Sequence, residues 1–155
     1  MALNLGKKMG LSETEIEALQ LGGILHDIGK IGVPSGILNK PGSLDPGEWQ
    51  LVKKHPDAGY KICLPLKANL GLALEVIQHH HEKLDGSGYP DGLKGKEIPK
   101  VARIMAVVDI YDALITDRPY RKGLAKEKAL EILQDEAEKG KLDMDIVKHL
   151  LEIVC

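Results

Sequence analysis

The residues of this chain best suited to chemistry begin with His26 and Asp27. The stretch from residue 21 to residue 30 reads L-G-G-I-L-H-D-I-G-K, so an imidazole and a carboxylate end an apolar helical run, and Lys30 follows three residues later. Adjacent helical residues point about 100° apart, so the pair can hold one metal ion from two sides or serve two. A buried His–Asp hydrogen bond is an equally good interpretation of this stretch alone.

Further polar residues fall where the sequence pattern predicts the protein core. The run His79-His80-His81-Glu82 ends a helix with an apolar face, so we expect a pair of these imidazoles to point inward. Asp109 lies beside another apolar stripe, where a carboxylate without a partner is costly. His55 precedes Pro56 at a predicted helix break. The candidate set is His26, Asp27, His55, a pair from His79–His81, and Asp109.

This set contains nitrogen and carboxylate ligands and no thiolate. Such a set suits Fe, Mn, Zn or Ni better than Ca or Mg. One bridging carboxylate with several imidazoles is the composition of a two-metal hydrolytic site. The sixth histidine, His149, is predicted to lie on the surface of the last helix.

Composition narrows the class of protein. A chain of 155 residues can form one domain with its own core, and a formal net charge of -2 argues against a DNA-binding surface. Cys63 and Cys155 form no metal-binding or disulfide pattern. Neither a signal peptide nor an apolar run of membrane-spanning length is evident, so we predict a cytoplasmic protein without membrane contact.

The periodicity predicts an all-α fold of about six to seven helices. Phe is absent and aromatic residues make up 3%, so aliphatic side chains must build the core. Ser12 and Glu15 form a predicted capping box for a helix that runs to about Ile28, with Gly29 as its C-terminal cap. Later helices are predicted from Pro99 to about residue 116 and over residues 125–139 and 144–154, and residues 83–99 carry a glycine-rich loop.

A second helix start is predicted at Asp45-Pro46-Gly47-Glu48, with Asp45 as the cap and the proline at the first helical position. From that helix, Trp49 and Val52 are expected to pack inward. His55-Pro56 then breaks or restarts the helix.

Several of these motifs, in this order, resemble the HD-GYP branch of the HD-domain phosphohydrolases. The resemblance covers roughly residues 12–153, and a lone His-Asp pair would not carry it. The motifs are His26-Asp27-Ile28-Gly29-Lys30, His55-Pro56, His80-His81-Glu82, Asp85-Gly86-Ser87-Gly88-Tyr89-Pro90, Asp109-Ile110-Tyr111-Asp112-Ala113 and Asp117-Arg118-Pro119-Tyr120-Arg121-Lys122.

The resemblance implies an HD-domain helical bundle and a bacterial phosphodiesterase that converts cyclic di-GMP to pGpG, GMP or both. It also implies two divalent metal ions, Fe or Mn by preference, with Zn or Ni as alternatives in a purified sample. By motif position, Asp27 would bridge the ions and would be catalytic together with Lys30. His26 and Asp109 would serve one ion. The other ion would be held by His55, His80 and His81. We prefer His80 and His81 to His79 because they directly precede Glu82, and we expect His79 to be exposed.

The resemblance also implies contacts to the substrate. Lys30 would contact a phosphate or protonate the leaving group, although a solvated lysine at a helix end is the alternative. Gly88 and Tyr89 resemble loop residues that let the substrate approach the backbone and let a base stack, unless Tyr89 simply packs the loop. Arg118 and Arg121 would meet phosphate or guanine, or form salt bridges with Asp117.

The chain departs from the family pattern at its start. Family members usually carry one more helix with a further histidine ligand, so we expect residues 1–155 to be a single HD-GYP domain without its first helix and without a third metal. Possible partners are an upstream sensor or receiver domain or a diguanylate cyclase domain. The alternative functions are an HD hydrolase of another cyclic dinucleotide or nucleotide, and a non-catalytic regulatory or interaction module.

Overall fold

The computed structural model describes residues 1–117 and 122–154, and this part of the chain is helical and contains no strand. Eight α-helices of seven or more residues occur within those ranges, one more than the upper predicted number. Short 3₁₀ segments span Ile28–Gly32, Leu64–Leu66 and Gly95–Glu97. The α-helices are α1 (Ala2–Lys8), α2 (Glu13–Leu25), α3 (Ser35–Leu38), α4 (Pro46–Val52), α5 (His55–Cys63), α6 (Lys67–Leu70), α7 (Ala73–His79), α8 (Lys100–Ile115), α9 (Lys126–Glu138) and α10 (Met144–Val154).

Local hydrogen bonds fix where the helices begin. The Ser12 hydroxyl accepts from the Glu15 N–H while the Glu15 carboxylate accepts from the Ser12 N–H, so the predicted capping box of α2 is present. Asp45 and Glu48 form the same arrangement at α4. These caps hold each helix in a defined register along the chain, and that register sets which side chains reach the site.

Two hydrophobic clusters hold the bundle together. The larger joins α1, α2, α8, α9 and α10, and the smaller lies between α5, α6 and α7. Helices α2 and α7 approach closely, because a Cβ placed at Gly22 would lie 2.5 Å from the Cβ of Val76. Among the described residues, no helix combines the length and apolar character needed to cross a membrane.

Helix α2 ends three residues earlier than predicted, and the expected role of Gly29 as its cap is wrong. His26 terminates the helix, and Gly29 falls in the following 3₁₀ turn without a positive φ. The glycine is needed for a different reason. A Cβ at Gly29 would lie 1.9 Å from the backbone oxygen of His55, so only glycine lets this turn pack directly on α5. This contact brings His26 and Asp27 next to His55.

We predict that Gly29→Ala destabilises the protein by about 1–3 kcal/mol, the usual cost of overpacking. The added methyl group would push the 3₁₀ turn away from the α5 backbone. Gly32→Ala is the matched control, because no described atom beyond its neighbours lies within 4 Å of a Cβ placed there. Urea unfolding measures both variants. Equal unfolding free energies for the two variants would contradict the packing role.

Candidate metal centre

Four of the six predicted metal ligands meet in one cluster. One ligand atom from each of Asp27, His55, His80 and His81 lies within 4.8 Å of the other three. Asp27 follows α2, His55 opens α5, and the two adjacent imidazoles directly follow α7. The cluster therefore forms where three helix ends converge, and His55 and His80 are each only 1% exposed.

Three imidazoles are oriented by their own backbone. In His26, His55 and His80, Nδ1 lies 2.9, 2.8 and 3.0 Å from the carbonyl oxygen three residues earlier in the chain. A carbonyl oxygen can only accept, so Nδ1 carries the hydrogen and donates it. In the neutral ring, Nε2 is then the free acceptor, and this nitrogen faces the centre. Metal-binding histidines are held by outer hydrogen bonds of this kind.

The Nε2 atoms of His55 and His80 lie 3.3 Å apart in buried surroundings. Two acceptor nitrogens at this distance need a proton or a cation between them. Burial, assisted by the charges of His26 and His55, lowers the pKa of His80 to about 4. A proton between the two nitrogens would serve only that one contact, whereas a metal cation could also bind Asp27 and His81. The ligand atoms of this cluster therefore fit a divalent metal ion of the kind that binds imidazole and carboxylate groups.

The two oxygens of Asp27 face different groups. Oδ1 lies 3.2 Å from Nε2 of His55, whereas Oδ2 lies 3.5 Å from Nε2 of His26 and 2.6 Å from Nζ of Lys30. Burial opposes the charge on Asp27, but the His55 imidazole and the Lys30 ammonium beside it outweigh this effect and hold its pKa well below the usual range. The carboxylate is thus ionised and can face two ions at once.

His26 and Asp109 lie on the Oδ2 side of Asp27. Nε2 of His26 is 3.7 Å from Oδ1 of Asp109. Burial favours the neutral imidazole, but the nearby carboxylates of Asp109 and Asp27 raise the pKa of His26 overall. Burial likewise opposes ionisation of Asp109, whose pKa is nevertheless lowered by His26 and His81. These two residues form a second, more open side of the cluster.

A cavity of about 700 Å³ opens above the cluster. Its volume is in the range of pockets that hold small molecules, roughly 300–1,000 Å³. Its lining combines charged groups, including Asp27, Lys30 and Asp109, with apolar side chains such as Val52 and Met105. The cavity can therefore take a ligand that carries both charge and apolar surface.

Two aromatic rings border this cavity. Tyr89 stacks on His81 with ring centroids 4.8 Å apart and an interplanar angle of 28°. Trp49 meets Tyr89 edge-to-face at 6.3 Å. The expectation that Trp49 packs inward is wrong, because the residue is 44% exposed and lies against the ring of Tyr89. The Tyr89–Pro90 peptide bond is cis.

Glu82 organises the loop that carries Tyr89, a role that was not predicted from the sequence. The residue is 2% exposed, and its carboxylate accepts three backbone hydrogen bonds at 2.7, 3.0 and 3.1 Å. The donors are the N–H groups of Asp91, Gly92 and Leu93. An acidic residue placed directly before a glycine-rich segment was the available signal, since such loops expose several unpaired N–H groups.

Gly88 lies at the base of the same loop. A Cβ there would lie 2.4 Å from the backbone nitrogen of Lys83, so the glycine is required for the loop to fold on itself. Its predicted contact with substrate stays a prediction. Arg118 and Arg121, also predicted to bind substrate, lie outside the described residues.

His79 is buried, so the expectation that it is exposed is wrong. It is 8% exposed, and its ring nitrogens lie 3.1 Å from carboxylate oxygens of Glu75 and Asp91. The glycine-rich loop folds over the end of α7 and covers this side chain. His79 therefore joins α7 to the loop and is not part of the Asp27 cluster.

Comparison with known proteins identifies the family. Residues 1–146 match the family model described as HD domain. The chain belongs to the HD domain family. A solved structure of Bd1817, an HDG"Y"P protein from Bdellovibrio bacteriovorus, superposes with a TM-score of 0.79 at 28% identity and covers 97% of this chain and 47% of that one. The resemblance to HD-GYP proteins and the all-α fold are thus confirmed.

Two curated relatives are named as phosphodiesterases. The chain is 39% identical over 155 residues to a cyclic di-GMP phosphodiesterase of Pseudomonas aeruginosa, covering 99% of this chain and 37% of that protein. It is 41% identical over 145 residues to 3'3'-cGAMP-specific phosphodiesterase 2 of Vibrio cholerae, covering 92% of this chain and 27% of that protein. The chain thus spans well under half the length of these relatives.

We predict that Glu82→Gln lowers the free energy of unfolding by about 1–3 kcal/mol, because an amide nitrogen would face one of the three buried N–H donors. Hydrogen exchange should accelerate at residues 91–93. Glu97→Gln is the control, since this exposed carboxylate accepts from the N–H of Lys94 in the same loop. Unchanged exchange at residues 91–93 in Glu82→Gln would show that the carboxylate does not hold the loop.

We predict that His55→Ala strongly weakens binding of Mn²⁺. Loss of an outer residue that only hydrogen-bonds to a metal ligand lowers metal affinity by roughly 10- to 100-fold, and loss of His55 should lower it further. The reason is that Nε2 of His55 faces both Asp27 and His80. His149→Ala is the matched control, because this imidazole lies on α10 away from the cluster. Equilibrium dialysis with elemental analysis measures both, and equal Mn²⁺ binding by the two variants would rule out the centre.

Proposed function

We propose that this chain is a metal-dependent phosphodiesterase that hydrolyses a cyclic dinucleotide, with cyclic di-GMP as the first substrate to test and pGpG, GMP or both as products. The observation that carries the proposal is the convergence of Asp27 and three imidazoles, of which His55 and His80 are buried, beneath a cavity of about 700 Å³. The names of the Pseudomonas and Vibrio relatives support the substrate class. We place the reaction in the cytoplasm, where a second messenger of this type would be degraded.

In this proposal, Asp27 would be a ligand to both of two divalent ions, with Fe or Mn preferred. His26 and Asp109 would help to hold one ion. His55, His80 and His81 would help to hold the other. Ions of this kind supply activated water at neutral pH and neutralise charge on phosphoryl oxygens. The backbone bonds to Nδ1 fix the tautomer of each ring and leave Nε2 aimed at the ions.

Lys30 has the best position to act on the phosphate. Its Nζ lies at the cavity wall, 2.6 Å from Oδ2 of the bridging carboxylate, and its side chain is 37% exposed. An ammonium there can bind a phosphoryl oxygen that approaches Asp27, or donate a proton to the leaving 3′ oxygen. Either action favours cleavage because negative charge develops on oxygen as the bond breaks.

A second cyclic dinucleotide is a specific alternative. Identity to the cyclic di-GMP and 3'3'-cGAMP relatives is 39% and 41%, so relatedness does not choose between the two substrates. A panel of both nucleotides, assayed with chain loaded with Fe²⁺ or Mn²⁺, tests the proposal. Product release that Asp27→Asn abolishes and His149→Ala preserves would support it. Metal-loaded chain that leaves both nucleotides intact would overturn it and favour a regulatory module.

We predict that Lys30→Met lowers kcat by roughly 100-fold or more, the scale of a lost proton donor, while bound metal stays at the wild-type level. Lys61→Met is the matched control, because Lys61 pairs with Asp57 away from the cavity. Steady-state hydrolysis and elemental analysis are measured on the same samples. A Lys30→Met variant with the kcat of Lys61→Met would exclude a chemical role for this ammonium.

A further inference from the structure

Trp49 is the one tryptophan in the chain, and it lines the cavity above the candidate metal centre. Its exposure alone means little, because Leu51 on the same helix is 42% exposed against 44% for Trp49, and single exposed apolar residues are common. Leu51 is not among the described residues that line the cavity. The position of the indole, against Tyr89 and over the cavity, is what distinguishes Trp49.

The geometry of the two rings decides which one is available to a flat ligand. Tyr89 already has one face stacked on His81. The planes of Trp49 and Tyr89 meet at 83°, so a single planar group cannot stack on both. The indole, being 44% exposed, offers the larger free face. Tyr89 then borders the stacked group and supports His81 from the other side.

The chemistry of the cavity indicates which ligand would use that face. One part carries Asp27, Lys30 and the imidazoles, which suit a phosphate bound through metal ions. The wall formed by Trp49 and Val52 is aromatic and apolar. A group that joins phosphate to a flat heteroaromatic ring matches both parts, and stacking of a nucleobase on an aromatic side chain tolerates any base.

We propose that Trp49 stacks on a nucleobase of the substrate and thereby positions the adjoining phosphodiester over Asp27. This inference rests on the proposed cyclic dinucleotide phosphodiesterase activity. Helix α4 fixes the backbone that carries the indole before the ligand arrives, since its first turn is held by the Asp45–Glu48 capping box and by an ion pair of 2.6 Å between Lys40 and Glu48. Trp49 is therefore a substrate-binding residue that contributes affinity rather than chemistry.

Because Trp49 is the sole indole, its fluorescence reports the contact directly. Metal-loaded chain is mixed with cyclic di-GMP or 3'3'-cGAMP in a stopped-flow instrument, so that binding is read before hydrolysis. We expect rapid quenching of the indole fluorescence that saturates with nucleotide concentration. The Leu51→Ala variant should show the same quenching.

Steady-state kinetics supply the second reading. Loss of one stacked base should raise KM for Trp49→Leu by roughly 5- to 150-fold. Its kcat should stay within about threefold of wild type, as expected when only uniform binding is lost. Trp49→Phe, which keeps a ring, should recover most of the affinity, and Leu51→Ala should match wild type in KM.

The outcomes separate this inference from the proposed function. Hydrolysis without any change in indole fluorescence, and with an unaltered KM for Trp49→Leu, would overturn the stacking role and leave the phosphodiesterase standing. Saturable quenching without hydrolysis would support the stacking role and remove the phosphodiesterase. Absence of both quenching and hydrolysis would overturn both.

Discussion

The candidate site depends on imidazoles that are oriented before any ligand arrives. His26, His55 and His80 each donate Nδ1–H to the carbonyl oxygen three residues earlier in the chain. Each Nε2 is therefore aimed inward by local backbone geometry rather than by neighbouring side chains. A buried group of acceptor atoms beside an ionised Asp27 is costly unless positive charge joins it. Metal binding and native stability should consequently be linked in this chain.

Close backbone contacts bring the three helix ends together. Gly29 lets the turn after His26 and Asp27 lie directly on the His55 carbonyl, and Gly22 lets α2 pack against Val76 of α7. A side chain at either glycine would separate the elements that carry the ligands. The precision of the site thus comes from small residues outside the ligand set, as expected where geometry must be held to fractions of an ångström.

Local features of the fold could be predicted from the sequence. The helix starts at Ser12 and Asp45 were correct because capping bonds join residues only two or three positions apart. The positions of α8, α9 and α10 were also predicted to within about one residue at each end, because a periodic apolar stripe identifies a helix. Residue type, together with a position beside predicted apolar faces, brought Asp27 and the imidazoles into one candidate set.

Features that depend on distant contacts could not be predicted. The sequence predicts Gly29 as a helix cap because a glycine follows the apolar run. Its contact with His55 joins residues that are far apart in the chain and leaves no local sequence pattern. The burial of His79 and the role of Glu82 both depend on how the glycine-rich loop folds back over α7. Trp49 was placed in the core because an amphipathic pattern does not distinguish a core face from a cavity wall.

The central claim is that Asp27 and the imidazoles share a pair of metal ions. X-ray absorption spectroscopy of the manganese- or iron-loaded chain tests this most directly. The account predicts several imidazole ligands per metal and a metal–metal distance of about 3.5–4 Å, the separation usual in two-metal sites. Spectra that show oxygen ligands alone, with neither imidazole scattering nor a neighbouring metal, would contradict it.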